Sequence, residues 1–355
     1  IMKEMHADGS FKRTASESRE IISSSHPLYK PASGRYHLYI SFACPWANRC
    51  LAVLKMKGLD HAITWSSTHP TWQRSRPNDA NDQHHGWAFY DSSDSNRVPL
   101  TPPGGHGKID AKDCEPCVID GKNLRVVRDL YAISGSNETK YTVPILWDKH
   151  SKTIVNNESS EIIRMLNTEF NEWATGQDAK IDLYPLDNDL RKEIDEINEW
   201  IYHEINDGVY RCGFAKTQEA YEKACNILFL ALNRLENHLS STRWLCGANA
   251  KDGNGSRITE ADIRLFMTLV RFDEVYVVYF KTNQKRISDY NNIHNYVRDL
   301  YQYNNNIIGN TINIEHIKTH YFTSHAVLNP YAIIPIGFGS EAAFKEVPIG
   351  RADLP

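Results

Sequence analysis

At Cys44-Pro45-Trp46-Ala47 an alternating strand pattern, Tyr36-His37-Leu38-Tyr39-Ile40-Ser41, gives way to an apolar helical pattern that runs to Gly58. A strand that feeds a helix through a single cysteine leaves few folds open, and the pattern predicts a strand over 36–41, a helix over 45–57 and a second strand over 61–65. A cysteine at a helix N-cap faces the orphan backbone N–H groups and the positive end of the helix dipole, and both favour thiolate over thiol. Pro45 suits the first helical turn, where its missing N–H is no loss. Ala47 stands where a dithiol oxidoreductase carries its second cysteine. The site is therefore monothiol, and an external thiol must complete any redox cycle.

A chain of 355 residues has room for two or three domains, and 41% hydrophobic with 24% charged residues is the balance of a globular protein. A formal net charge of −4 gives no basic footprint for nucleic acid, and no segment approaches the uninterrupted apolar length of a membrane span. Neither nucleic acid nor membrane is an expected partner. Seven cysteines are an odd number at low density, which argues for a reducing compartment rather than a disulfide framework. Ile1-Met2-Lys3-Glu4 lacks an apolar signal core, so the expected location is the cytoplasm, with organellar targeting left open.

Residues 1–34 are polar and read as an extended segment that needs docking to become ordered. After the βαβ pattern come an interruption over about 73–140, a strand from Thr142 to Trp147, a turn, a strand from Thr153 to Asn156 and a helix near 159–167. Strands alternating with a helix, then a hairpin and a closing helix, describe a thioredoxin-like α/β domain over 35–170 with a mixed four-stranded sheet. The interruption is too long for a plain connection and is read as an insertion on the substrate side, with helical stretches possible within it. Cys114-Glu115-Pro116-Cys117 lies there; a lone CxxC without a partner pair is a weak zinc signal, so two surface thiols and no metal are expected.

After Pro185 the pattern becomes helical. Leu190, Ile194, Ile197, Ile201 and Ile205 form one stripe of a helix expected to end at Gly208, and a second helix is expected over about 217–239. A third opens at Thr259 with Asp262 three residues on, and others are expected near 289–303 and 313–320. Residues 185–325 thus read as an all-α domain and 326–355 as an extended tail.

Val143-Pro144 opens the third strand of the sheet pattern, where a proline cannot donate a ladder hydrogen bond, and a cis peptide there would turn the Val143 backbone toward a ligand beside Cys44. Glu158-Ser159-Ser160 starts the following helix, and such a start offers N–H groups and hydroxyls to a carboxylate and an acid to an ammonium. Together these fit the zwitterionic head of a γ-glutamyl group.

The runs Gly34 to Ala47, Thr142 to Asp148 and Ile154 to Ile163, with Asn206-Asp207-Gly208-Val209-Tyr210, Thr259 to Leu265 and Leu269 to Tyr276, resemble the glutathionyl-hydroquinone reductases, the xi class of glutathione transferases related to the omega class. The likeness covers roughly residues 11–340. It implies glutathione transferase architecture, a homodimer, and glutathione as co-substrate in reducing aromatic glutathionyl-hydroquinones through a mixed disulfide on Cys44. It also implies that Trp87, Val143, Pro144, Glu158 and Ser159 form the glutathione site, and that Tyr210, Tyr276 and Tyr321 line the hydroquinone pocket. Phenol groups can hydrogen-bond a departing phenolate while their rings cover an aromatic substrate. The chain departs from the family pattern at Asn48, Tyr279 and Thr282, where histidine, histidine and cysteine are usual, and its insertion before Asn123 is longer. Two other readings stay open: an omega-like thioltransferase or dehydroascorbate reductase, which needs no tyrosine pocket, and a non-catalytic transferase-like assembly module, which has no use for a capped cysteine.

Overall fold

A computed structural model describes residues 4, 6, 8–176, 178–247 and 257–354; Ile1 to Lys3, read above for a signal core, lie outside them. In chain order the elements are β1 (Tyr36–Ile40), α1 (Pro45–Met56), β2 (Thr64–Ser67), β3 (His69–Arg74), β4 (His85–Ala88), β5 (Cys117–Ile119), β6 (Lys122–Leu124) and α2 (Val127–Ile133). There follow β7 (Ile145–Asp148), β8 (Thr153–Asn156), α3 (Ser159–Thr168), α4 (Asn188–Ile201), α5 (Gly208–Gly213), α6 (Gln218–His238) and α7 (Glu260–Arg271). The chain closes with α8 (Val277–Tyr279), α9 (Asn291–Asn306), α10 (Ile314–Ser324) and α11 (Ser340–Glu346). No helix is long and apolar enough to cross a membrane among the described residues.

The chain divides into two compact units. One, Ser16–Lys180 with Thr311–Ile336, is built on a mixed sheet of order β2-β1-β7-β8. β1 and β2 run parallel and the other two pairings are antiparallel, as the βαβ-then-hairpin pattern requires. The central strands are buried along nearly their whole length, and α1 and α3 cover the sheet with Leu51, Val53, Leu54, Ile162, Ile163 and Leu166. Each such side chain removed from water contributes about 1.5–3 kcal/mol. Gly58 ends α1 with φ +63, and a Cβ there would collide with the Thr175 carbonyl. The insertion is entered through β3, which pairs with β4, and it also holds the β5-β6 hairpin and the helix α2, which completes the second crossover. The hairpins escape the sequence reading because their strands are short, six residues at most. Cys114 and Cys117 are buried rather than on the surface, because β5 folds inward and the Cys117 thiol donates to the Tyr39 hydroxyl at 3.3 Å.

Helix α10 also belongs to this unit. It lies on β3, with the Thr71 and Thr323 hydroxyls 2.8 Å apart and the Trp72 N–H donating to Ser324 Oγ at 3.0 Å. The sequence division at 325 therefore differs from the compact units, which take Thr311–Ile336 away from the helical part. Part of the N-terminal segment docks on this unit: Arg19 bridges to Asn156 and Ile22 is fully buried.

The other unit joins Ile1–Ala15, Ile181–Asn310 and Gly337–Pro355 and is helical. Thr259 caps α7 in a reciprocal box with Asp262, as their spacing predicts, and Thr217 caps α6 by accepting from the Ala220 N–H. The stripe on α4 is buried at Leu190, Ile194 and Ile201. Gly208 does not end that helix. A π turn over Tyr202–Asn206 re-phases it and Gly208 opens α5; a second π turn, Phe272–Tyr276, follows α7. Such wide turns leave no mark in apolar spacing, and they recur at functional sites. The tail is not extended throughout, since α11 packs Phe344 against Tyr301.

Candidate active site

Cys44 sits at the N-cap of α1 in extended conformation, with Pro45 as the first helical residue. Its half-buried thiol donates to the Val143 carbonyl at 3.4 Å, across from a cis Val143-Pro144 peptide. Two predicted residues, one between β1 and α1 and one just ahead of β7, thus meet at one sulfur. Cys50, farther along α1, is different: burial pushes its thiol well up, and it donates weakly to backbone carbonyls.

Glu158 caps α3, accepting from the Ser160 N–H at 3.1 Å and the Ser160 hydroxyl at 2.9 Å. Its own N–H donates to Asn156 Oδ1 at 2.7 Å, which fixes the corner between β8 and α3. Ser159 is buried in the first turn. This corner presents a carboxylate and a helix N-terminus side by side, a pairing suited to an ammonium and a carboxylate on one ligand.

Trp87 lies on β4, stacked on His320 of α10 with ring centroids 4.4 Å apart and planes at 23°. Trp72 stands edge-on to Trp87 at 5.6 Å, and His320 Nδ1 lies 2.7 Å from the Pro70 carbonyl. Tyr321 is buried beside His320 and His325, whose imidazole burial holds down to about 4. Sequence reasoning missed Trp72, His320 and His325, because α10 runs to Ser324 instead of stopping near 320 and its partners lie some 250 positions earlier. Asn48, one of the departures, donates to the Thr311 carbonyl at 2.8 Å and so ties α1 to the segment leading into α10.

In the helical unit Tyr210 of α5 and Tyr276 of the second π turn have ring centroids 6.1 Å apart. Tyr276 stacks on Phe280 at 5.3 Å with planes at 5°, and Phe214 and Phe280 complete the cluster around Tyr210. Gly213 is obligatory here, since a Cβ would overlap the Phe280 ring. Arg13 from the N-terminal segment places its guanidinium 4.8 Å from the Tyr210 ring centroid and donates to Asp207 Oδ1 at 2.9 Å. Tyr279 and Thr282, the other departures, are both buried nearby in sequence. Among the described residues, no group of three or more His, Cys, Asp or Glu is arranged to hold a metal ion.

Comparison with known proteins identifies the family. Residues 43–169 match the family model for the glutathione S-transferase N-terminal domain and 218–299 that for the C-terminal domain. The chain is 41% identical over 340 residues to a glutathionyl-hydroquinone reductase of Escherichia coli, covering 93% of this chain and 89% of that protein. The crystal structure of a xi glutathione transferase from Phanerochaete chrysosporium is 43% identical, with TM-score 0.79 and 95% of both chains covered. That of a Saccharomyces cerevisiae xi enzyme in complex with glutathione is 37% identical, with TM-score 0.79 and 94% and 98% covered. A thiol capping α1 against the Val143 backbone, an acid capping α3 and these matches along nearly the whole length make the chain a member of the glutathione transferases, in the xi class that holds the glutathionyl-hydroquinone reductases.

Proposed function

We propose that this protein reduces glutathionyl-hydroquinones to hydroquinones at the expense of glutathione. The observation that carries the reading is the Cys44 thiol at the N-cap of α1, set against the Val143 carbonyl. Glutathione is the co-substrate; Trp87, Val143, Pro144, Glu158 and Ser159 are assigned to hold it, and the acid at the start of α3 fits its γ-glutamyl head. The Cys44 thiolate attacks the glutathionyl sulfur, the carbon–sulfur bond breaks, and its electron pair passes to the ring carbon, which takes up a proton. Cys44 is left as a mixed disulfide with glutathione. A second glutathione thiolate attacks that disulfide, regenerates the Cys44 thiolate and leaves as oxidised glutathione. Tyr210, Tyr276 and Tyr321 are assigned to the hydroquinone, where a phenol can hydrogen-bond a ring oxygen and supply or relay the proton.

A homodimer in the cytoplasm completes the reading, supported by the family likeness and by seven cysteines none of which is in a disulfide. Cys44→Ser is expected to lower turnover of a glutathionyl-hydroquinone on the order of 10³-fold or more, while the fold is retained. Turnover persisting in that variant would sink the mechanism. Activity on dehydroascorbate exceeding that on the hydroquinone thioether would favour the omega-like alternative.

A further inference from the structure

Arg13 has no part in the chemistry described so far, yet its surroundings are specific. It comes from the N-terminal segment, almost two hundred positions from the residues it meets, and is largely buried. Its Nε–H donates to Asp207 Oδ1 at 2.9 Å, and Asp207 immediately precedes α5. The guanidinium carbon lies 4.8 Å from the Tyr210 ring centroid and 5.4 Å from that of Phe11, which in turn packs on Phe214 at 5.6 Å. Burial works against the charge, but the Asp207 carboxylate, through its charge and its hydrogen bond, outweighs it and keeps the group cationic.

Asp207 at the head of the Tyr210 helix is engaged by Arg13, and Tyr276 from the second π turn is a neutral phenol. Phe214 and Phe280 have no titratable group. The Arg13 cation at this ring arrives from the chain's N-terminal segment.

We propose that Arg13 is a positioning residue for hydroquinone release: clamped by Asp207, it holds the Tyr210 ring in place and supplies the positive charge that assists the Tyr210 hydroxyl in donating its proton. This rests on the assignment of Tyr210 to the hydroquinone. An arginine over an aromatic face is attractive in itself, and a cation within about 5 Å of a phenol favours the phenolate that proton donation leaves behind. Arginine suits the task because its planar fork can bind the carboxylate at its edge while its face covers the ring.

The test is the single-turnover rate of hydroquinone release against pH, measured on the full chain and on Tyr210→Phe, Arg13→Gln and Arg13→Lys. The wild type should show an alkaline limb that Tyr210→Phe removes. Arg13→Gln should slow release about tenfold at neutral pH and move that limb upward by about one pH unit; Arg13→Lys, which keeps the charge but not the planar fork, should restore the position of the limb and only part of the rate. A wild-type rate in Tyr210→Phe would overturn the assignment on which the proposal rests. A slow Tyr210→Phe beside an Arg13→Gln profile with an unmoved limb would overturn the proposal alone. So would an Arg13→Gln protein that loses rate equally at every pH in step with its melting temperature, the mark of a purely structural role.

Discussion

At the scale of single residues the chemistry turns on which thiol can ionise. Cys50, Cys114 and Cys246 are pushed up by burial, and Cys117 is raised to about 11 by burial. Cys225 is the contrasting case: half-buried, it is brought down from the ordinary thiol value by hydrogen bonds from Cys212 and Tyr221 that outweigh its burial. Mass spectrometry after brief exposure to oxidised glutathione should therefore find adducts on Cys44 and Cys225 only. Cys44→Ser should leave the Cys225 adduct alone, and adducts on Cys114 or Cys117 with Cys44 untouched would contradict the assigned nucleophile. Cys44, Pro144 and Glu158 were legible in the sequence because each carries a local cue: a cap, a proline in a strand, an acid at a helix start. Trp72, His320 and Arg13 were not, because each draws its meaning from partners roughly two hundred or more positions away.

At the scale of elements, β1 and β7 are pinned at one end by Arg35 and Asp148, whose bidentate pair has N–O distances of 2.9 and 2.7 Å. Burial alone would raise the Asp148 carboxyl, but Arg35, the Ser151 hydroxyl and the His150 N–H hold it down to about 2. A carboxyl depressed in the folded state stabilises it fully above the unfolded value of about 3.9 and loses that contribution as pH falls toward 2. Asp148→Asn should accordingly cost on the order of 2 kcal/mol at pH 7 and show a flatter loss of stability between pH 4 and pH 2, read by urea melts across that range. Gly213→Ala forces a methyl into the Phe280 ring and should destabilise by about 1–3 kcal/mol, with a loss of hydroquinone turnover larger than that of glutathione binding. The cap at Thr259 was readable from side-chain chemistry alone. The π turns before Tyr210 and ending at Tyr276 were not, since one extra residue per turn is a backbone event that apolar spacing does not encode.

At the scale of the molecule, the sequence made both layers of the fold legible, because strand alternation and helical stripes report burial locally. Its division of the chain was less informative, because which unit a segment joins depends on tertiary contacts such as those of α10 with β3. The chain passes from one compact unit to the other four times. A fragment over 16–180 lacks α10 and leaves the Pro70 carbonyl, Trp72 and Thr71 without their partners, so it should show weak near-ultraviolet circular dichroism and a broad melt. For protein engineering and for inheritance alike, that threading removes the usual seam. A recombinant joining the first half of one xi enzyme to the second half of another would carry Trp87 from one parent and the His320 beneath it from the other, so the two halves can diverge only in step.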